Sequence, residues 1–278
     1  VSNFPAQRYF LDLWNHGAGV FGICSDDDSD EFRILRPYQV KEAISRACSE
    51  TSTHIDVVGF DACVMSMVEV CYELKDITDI VVASEMNIPF YGWPYETLMA
   101  YLSQNPGVNP YDLSRELTRL YVDFYPKMLV QLSAIDLDLL VEFVGSLDDL
   151  NSYLIQNMGK YYDEIKAARR DALFEPTMYK NYNSFIDTYR FAYLLVQSIP
   201  NNRLTNLASQ VMSKLENAVF AEAHTTDIGR LDSRVFGFSI FFPNTEALYT
   251  PNYPVYVPEF TGDTLWIDLL FTFFANKN

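Results

Sequence analysis

His16 and Cys63 are the residues of this chain whose types, spacing and setting point to covalent chemistry. Each closes an apolar run of strand character. Residues 9–14 (YFLDLW) end in Asn15-His16-Gly17-Ala18-Gly19, and residues 55–60 (IDVVGF) end in Asp61-Ala62-Cys63. After Cys63 the spacing of Val64, Val68, Cys71 and Leu74 predicts one face of a helix. A strand that ends at Cys63 and opens directly into a helix puts the thiol at a sheet edge and near the positive end of a helix. Both favour a reactive thiolate. The same stretch also fits a small buried residue in a tight turn. His16 lies 47 residues upstream, room for one loop and one crossover helix. Two strands joined that way are predicted to be parallel neighbours with their carboxyl ends on one edge, where open α/β sheets build their sites. Histidine beside cysteine supplies a nucleophile and its general acid/base, and the glycines after His16 let a substrate approach the backbone.

The elements that must position these residues follow in order. Pro37 opens a predicted helix over 37–50, with Val40, Ala43, Ile44 and Ala47 facing the sheet. A third strand is predicted over 79–84, and its loop, 85–93, again lies at a carboxyl edge, where it can wall a substrate pocket; its aromatics also fit ordinary packing under a loop. Helices are predicted near 95–104 and 110–123, then a fourth strand over 128–135 with Asp136 as the cap of the next helix. Helical patterns rich in Tyr, Phe and Leu run through 137–158, 160–174, 182–198 and 202–222, with no strand pattern among them. A fifth strand is predicted over 235–242, stopped by Pro243, and a closing helix over 265–274 should bury Trp266 and Leu269. This gives a catalytic α/β core over 1–136, a helical subdomain over 137–226, and a return to the core over 227–278.

The 278 residues are 49% hydrophobic, ample for a large core. The net charge of −17 argues against nucleic acid or an anionic membrane as partner, and no apolar run is long enough to span a bilayer. The four cysteines fit no zinc or CxxC spacing, and Cys71 reads as a core residue. His54 and His224 read as structural. In the loop 17–36, Asp26, Asp28 and Asp30 fit the first positions of a calcium loop. Glu31 and Pro37 stand where an EF-hand needs Gly and Glu, which leaves a non-EF Ca2+ site or a solvated acidic loop.

The chain resembles the clostripain-like cysteine peptidases, which share the caspase-like fold. The likeness is carried by Trp14-Asn15-His16-Gly17, Gly59-Phe60-Asp61-Ala62-Cys63, Ala83-Ser84-Glu85 with Gly92-Trp93, and Phe236 to Pro243. It implies an open, mostly parallel sheet flanked by helices, and a secreted endopeptidase with a Cys63–His16 dyad acting on protein or peptide substrates. The predicted turns and the resemblance together place the oxyanion donors at the backbone N–H groups of Gly17 and Cys63. The resemblance also implies cleavage after Arg or Lys, with Asp61 in the first pocket and the loop residues Glu85, Tyr91 and Trp93 as pocket walls. Tyr91 stands where the family carries a second acid, which weakens the basic-residue assignment. Asp61 also fits a turn residue bonded to local backbone. Family members are processed between their His and Cys motifs, which makes Arg33 and Arg36 the self-cleavage candidates, and they are often calcium-dependent. The family's sheet normally begins about two strands earlier, so the chain's own N-terminal segment is an expected partner. The alternative is a non-catalytic or altered-specificity binding or surface protein on the same fold.

Overall fold

The computed structural model describes residues 3–26, 28, 33–173, 184–225 and 236–276. Its centre is a five-stranded sheet in the order β1-β4-β5-β6-β8. The strands are β1 (Phe10–Trp14), β4 (Ile55–Asp61), β5 (Thr78–Ala83), β6 (Gln131–Asp136) and β8 (Val219–His224). β1, β4 and β5 pair in parallel, while β6 runs antiparallel to both β5 and β8. The sheet is therefore mixed, with β6 alone reversed. Two short antiparallel pairs flank it, β2 (Ile23–Asp26) with β3 (Arg33–Leu35) and β7 (Phe185–Asp187) with β9 (Ser239–Phe241).

The central strands are apolar on both faces because helices cover both, as parallel sheets require. Val58, Phe60, Val81 and Ala83 face a large core shared with α1 (Pro37–Thr51), α2 (Val68–Glu73), α5 (Leu137–Asp171), α6 (Thr188–Ser198) and α7 (Asn202–Ala218). The tail helices α8 (Tyr253–Tyr256), α9 (Pro258–Asp263) and α10 (Trp266–Ala275) join the same core. Val57, Ile80 and Val82 face a second cluster with Trp93, α3 (Tyr95–Gln104) and α4 (Pro110–Phe124). The expected helix starts hold. Pro37 is the first residue of α1, and Asp136 accepts from the N–H groups of Asp138 and Leu139. Trp266 and Leu269 are buried.

Four local expectations are corrected. Residues 137–158 and 160–174 were expected as two helices. They form one 35-residue helix, α5, broken only by the non-helical backbone of Tyr161. The stretch 137–226 is not wholly helical: the helix expected over 182–198 begins only at Thr188, after β7, the pattern expected to run through 222 ends at Ala218, and 219–224 is the fifth strand of the central sheet. No Gly or Pro punctuates that change, and pairing with β6 decides it. The strand expected over 235–242 is reduced to Ser239–Phe241 and pairs with β7, outside the central sheet, while Val235 lies outside the described residues. Finally, α2 begins at Val68 rather than directly after Cys63. The Val64 and Ser66 N–H groups bond to the carbonyls of Met86 and Ser84, and the Ser239 N–H bonds to the Ser66 carbonyl. Those extended contacts hold the chain out of a helix until Val68.

Candidate functional site

The register of β1 on β4 pairs Trp14 with Asp61. His16 and Cys63 each lie two residues further on, so parallel pairing carries them to the same edge. Both line one cleft of about 700 Å³ at the carboxyl ends of the strands. Its walls come from Trp14, the last residue of β1, and Asn15 after it, from Cys24 to Asp26 and Asp28 on the β2 side, and from Ile88, Pro89 and Phe90 after β5. Gly17 is required by close approach: a Cβ there would stand 2.3 Å from the Cys63 carbonyl oxygen and 2.9 Å from its nitrogen. The backbone after His16 thus lies directly on that of Cys63.

Cys63 is half-buried, and burial pushes its thiol up, with the neighbouring Asp61 charge acting in the same direction. The Ile88 N–H points at its Sγ at 3.3 Å and opposes this. The expected lowering by a helix start is absent because α2 begins five residues on. Val64, next to Cys63, has φ of 55°, a left-handed backbone that β-branched residues rarely adopt. The turn that exposes the sulfur is a strained one.

Asp61 is 2% exposed yet lines the cleft. Its Oδ2 accepts from the Trp93 N–H at 2.8 Å and contacts the Tyr95 hydroxyl at 2.6 Å, while Oδ1 is buried without a partner. Gly92, with φ of 65°, passes so near that a Cβ would fall 2.2 Å from Asp61 Oδ2. Burial foremost, with Asp12 adding, pushes the Asp61 carboxyl up to about 6.

The other sequence-derived candidates divide. Glu85 is a core residue: its Oε1 accepts from the Gly237 N–H, and burial followed by the Asp187 charge raises its carboxyl well above the usual range. Trp93 is buried and stacks on Phe10 at 6.1 Å. Neither lines the cleft, so Glu85 is corrected as a pocket wall, and Trp93 takes the alternative reading of packing under the loop. Tyr91 is 79% exposed and packs edge-on against Phe90, which is 87% exposed and does line it. Sequence reading gave no site role to Trp14, Asp12 or Tyr95, while Ile88 belongs to the loop 85–93 that was expected to wall a pocket. Trp14 carried a signal, since it lies at a strand carboxyl edge.

Asp26 and Asp28 stand at the cleft, the Asp28 N–H bonding to Asp26 Oδ1 at 3.1 Å, while Asp30 lies outside the described residues. Among the described residues no group of three or more His, Cys, Asp or Glu side chains could hold a metal ion. Arg33 opens β3 and is exposed. Arg36 caps α1, donates to the Phe21 carbonyl and lies 4.1 Å over the Tyr256 ring. His54 meets Asp79 and His224 meets Glu222, both at 2.9 Å and away from the cleft. Among the described residues no helix is long and apolar enough to cross a membrane.

Comparison with known proteins agrees with this architecture. The family model described as the clostripain family matches residues 1–272. A secreted C11 cysteine protease from Bacteroides thetaiotaomicron, solved with an irreversible peptide inhibitor, is 19% identical with a TM-score of 0.61, covering 94% of this chain and 73% of that one. An inactive zymogen C11 protease from Parabacteroides distasonis is 20% identical with a TM-score of 0.58, covering 96% and 71%. A clostripain from Bacteroides thetaiotaomicron in complex with the peptide inhibitor BTN-VLTK-AOMK is 17% identical with a TM-score of 0.57, covering 87% and 97%. No curated protein matches the sequence. At these identities the structures speak to the fold, and the family match speaks to the chemistry. The chain belongs to the clostripain family and is a cysteine-type peptidase.

Proposed function

We propose that the protein is an endopeptidase that cleaves after Arg or Lys, with Cys63 as nucleophile and His16 as general acid/base. The observation that carries this is the shared cleft at the ends of two adjacent parallel strands. Because burial holds the Cys63 thiol up, His16 takes the thiol proton as Sγ attacks the scissile carbonyl. The Ile88 N–H favours the sulfur anion as it forms. The tetrahedral oxyanion is received by the backbone N–H groups of Gly17 and Cys63. One such donor is worth about 3 kcal/mol in the transition state. His16 then protonates the leaving amine, and water releases the acyl group. Asp61 offers its unpartnered Oδ1 to the cationic side chain.

Self-processing belongs to the same reading. Of the two candidate bonds, that after Arg33 is favoured, because the bond after Arg36 leads into Pro37, the buried first residue of α1. Export belongs to it as well, on the strength of a neighbour described as secreted.

The test is hydrolysis of fluorogenic peptides ending in Arg, Lys, Leu or Asp, with and without calcium, beside Cys63→Ala and His16→Ala. We expect Arg and Lys peptides to be cleaved and both variants to lose at least about 10³-fold in kcat/KM. On denaturing gels the wild type should split after Arg33 while Cys63→Ala stays whole. Cleavage that survives Cys63→Ala overturns the dyad, and cleavage confined to Leu or Asp peptides overturns the basic pocket.

A further inference from the structure

Two carboxyl groups meet one hydroxyl beneath the cleft. Tyr95 Oη stands 2.6 Å from Asp61 Oδ2 and 2.6 Å from Asp12 Oδ2. Both are hydrogen-bond lengths for O–H···O contacts. A phenol carries one hydrogen and can donate to only one of them. The second contact is made only when one of the two carboxyls carries a hydrogen, and burial, the first cause raising both Asp12 and Asp61, favours that state. Asp12 comes from β1, Asp61 from β4 and Tyr95 from the first turn of α3. The remaining oxygens, Asp12 Oδ1 and Asp61 Oδ1, are buried without partners. Asp61, 98% covered, is the member of the cluster that lines the cleft, two residues before the nucleophile. Its other oxygen is already taken by the Trp93 N–H and the Tyr95 hydroxyl.

We propose that Asp12, Tyr95 and Asp61 form one acidic receptor for the cationic side chain of the residue before the scissile bond, releasing their shared proton to solvent when that cation binds. This rests on the basic-residue preference proposed above and adds two residues to it. Asp61 meets the substrate. Asp12 and Tyr95 are positioning residues that act through Asp61, one by charge and one by fixing its Oδ2. With the shared proton the pair carries one negative charge. A bound guanidinium or ammonium replaces the proton, so the pair carries two negative charges against the incoming positive one. Binding then competes with protonation, and the preference for a cation must weaken in acid.

Among the described residues, further titratable groups stand around the cluster. α4 and its end contribute Tyr121 and Tyr125, whose hydroxyls are pushed up by burial first. The segment after β4 contributes Cys63, and the cleft contributes His16, Asp26 and Asp28. His16 and Cys63 act on every substrate alike, so a neutral isostere of arginine separates their contribution from that of the cluster.

The experiment compares fluorogenic peptides identical except for Arg or citrulline before the scissile bond, from pH 5 to pH 8. The ratio of their kcat/KM values is read for the wild type, Asp12→Asn and Tyr95→Phe. With Asp61 near 6, one competing proton changes the wild-type ratio by about tenfold between pH 5 and pH 7, rising with pH. Removing the Asp12 charge should move the midpoint of that rise to lower pH. Removing the Tyr95 hydroxyl, which favours the Asp61 anion, should move it to higher pH. Opposite displacements are not produced by a general loosening of the site. Calorimetry of the Arg peptide binding to Cys63→Ala in buffers of different ionisation heat gives a second reading, release of up to one proton at pH 5.5. An Arg preference that depends on Asp61 but keeps its wild-type pH course in both variants, with no proton released, overturns this inference and leaves the basic-residue reading standing. Equal handling of Arg and citrulline peptides at every pH overturns both.

Discussion

At the scale of single residues, Gly17 makes the sharpest demand. Its Cα rests on the Cys63 backbone so closely that a methyl group has no room. The clash would be with main-chain atoms, which cannot rotate away. Gly17→Ala should therefore lift the end of β1 off Cys63 and lower kcat/KM by about 10²-fold, the order expected for a misplacement near 1 Å. Kinetics beside a melting curve check this, and a wild-type kcat/KM in a folded sample would show that the two backbones do not have to touch. The placement of His16 and Cys63 on one sheet edge was legible in the sequence. His16 and Cys63 could be found because each ends a strand pattern and both patterns predict one sheet edge. Asp12 and Tyr95 could not, since their meeting depends on the β1–β4 register and on a helix start 83 residues from Asp12. Glu85 and Trp93 were misplaced for the opposite reason. They follow a strand end, where lining residues are expected, but the chain there turns back into the core.

At the scale of elements, α2 explains how the tail is fastened to the catalytic strand. Its six residues are all buried, including two glutamates. Glu69 Oε1 accepts from the Phe241 N–H of β9 and from the Tyr253 hydroxyl of α8. Glu73 Oε1 accepts from the N–H groups of Glu259 and Phe260 in the first turn of α9, which has no side-chain cap of its own. Glu73→Ala strips both bonds from buried donors and should cost about 2 kcal/mol in urea unfolding. Glu73→Gln keeps an acceptor oxygen without a buried charge. Burial raises the Glu73 carboxyl to about 7, so its ionisation costs stability progressively as pH rises from about 4 to 7 and in full above that, and Glu73→Gln should equal or exceed the wild type at pH 8. Equal losses for both variants would show that charge, not the cap, holds α9. Sequence periodicity recovered α1, α3, α4 and α10. It ran past the end of α7 because Val219 to His224 continue an apolar pattern and only pairing with β6 makes them a strand.

At the scale of the whole molecule, the buried carboxyls set the direction of pH stability. The net charge is −17, and several carboxyls are buried. Burial is the first cause holding Asp61 up to about 6 and Glu69 and Glu73 up to about 7, and it raises Asp12, Asp148, Glu85 and Asp187 as well. In each case the folded value lies above the unfolded one, near 4. Between the two, the native state binds more protons than the unfolded chain, so stability falls as pH rises from about 4 to 7. His224 acts in the same sense, because Glu222 raises it and that stabilisation is lost as pH rises through its folded value. Asp171, lowered by Arg170, acts oppositely, but it is exposed and the pair is screened by solvent. A single carboxyl raised from 4.5 to about 7 is worth about 3 kcal/mol across the window. That corresponds to roughly 6–12 °C in Tm for a chain of this size. Calorimetry of Cys63→Ala, chosen to prevent self-digestion, should thus give a Tm at least about 5 °C higher at pH 5 than at pH 7.5. A Tm that rises over that interval would mean the buried carboxyls are ionised and matched by cations, and the acidic receptor beneath the cleft would then hold no proton to exchange.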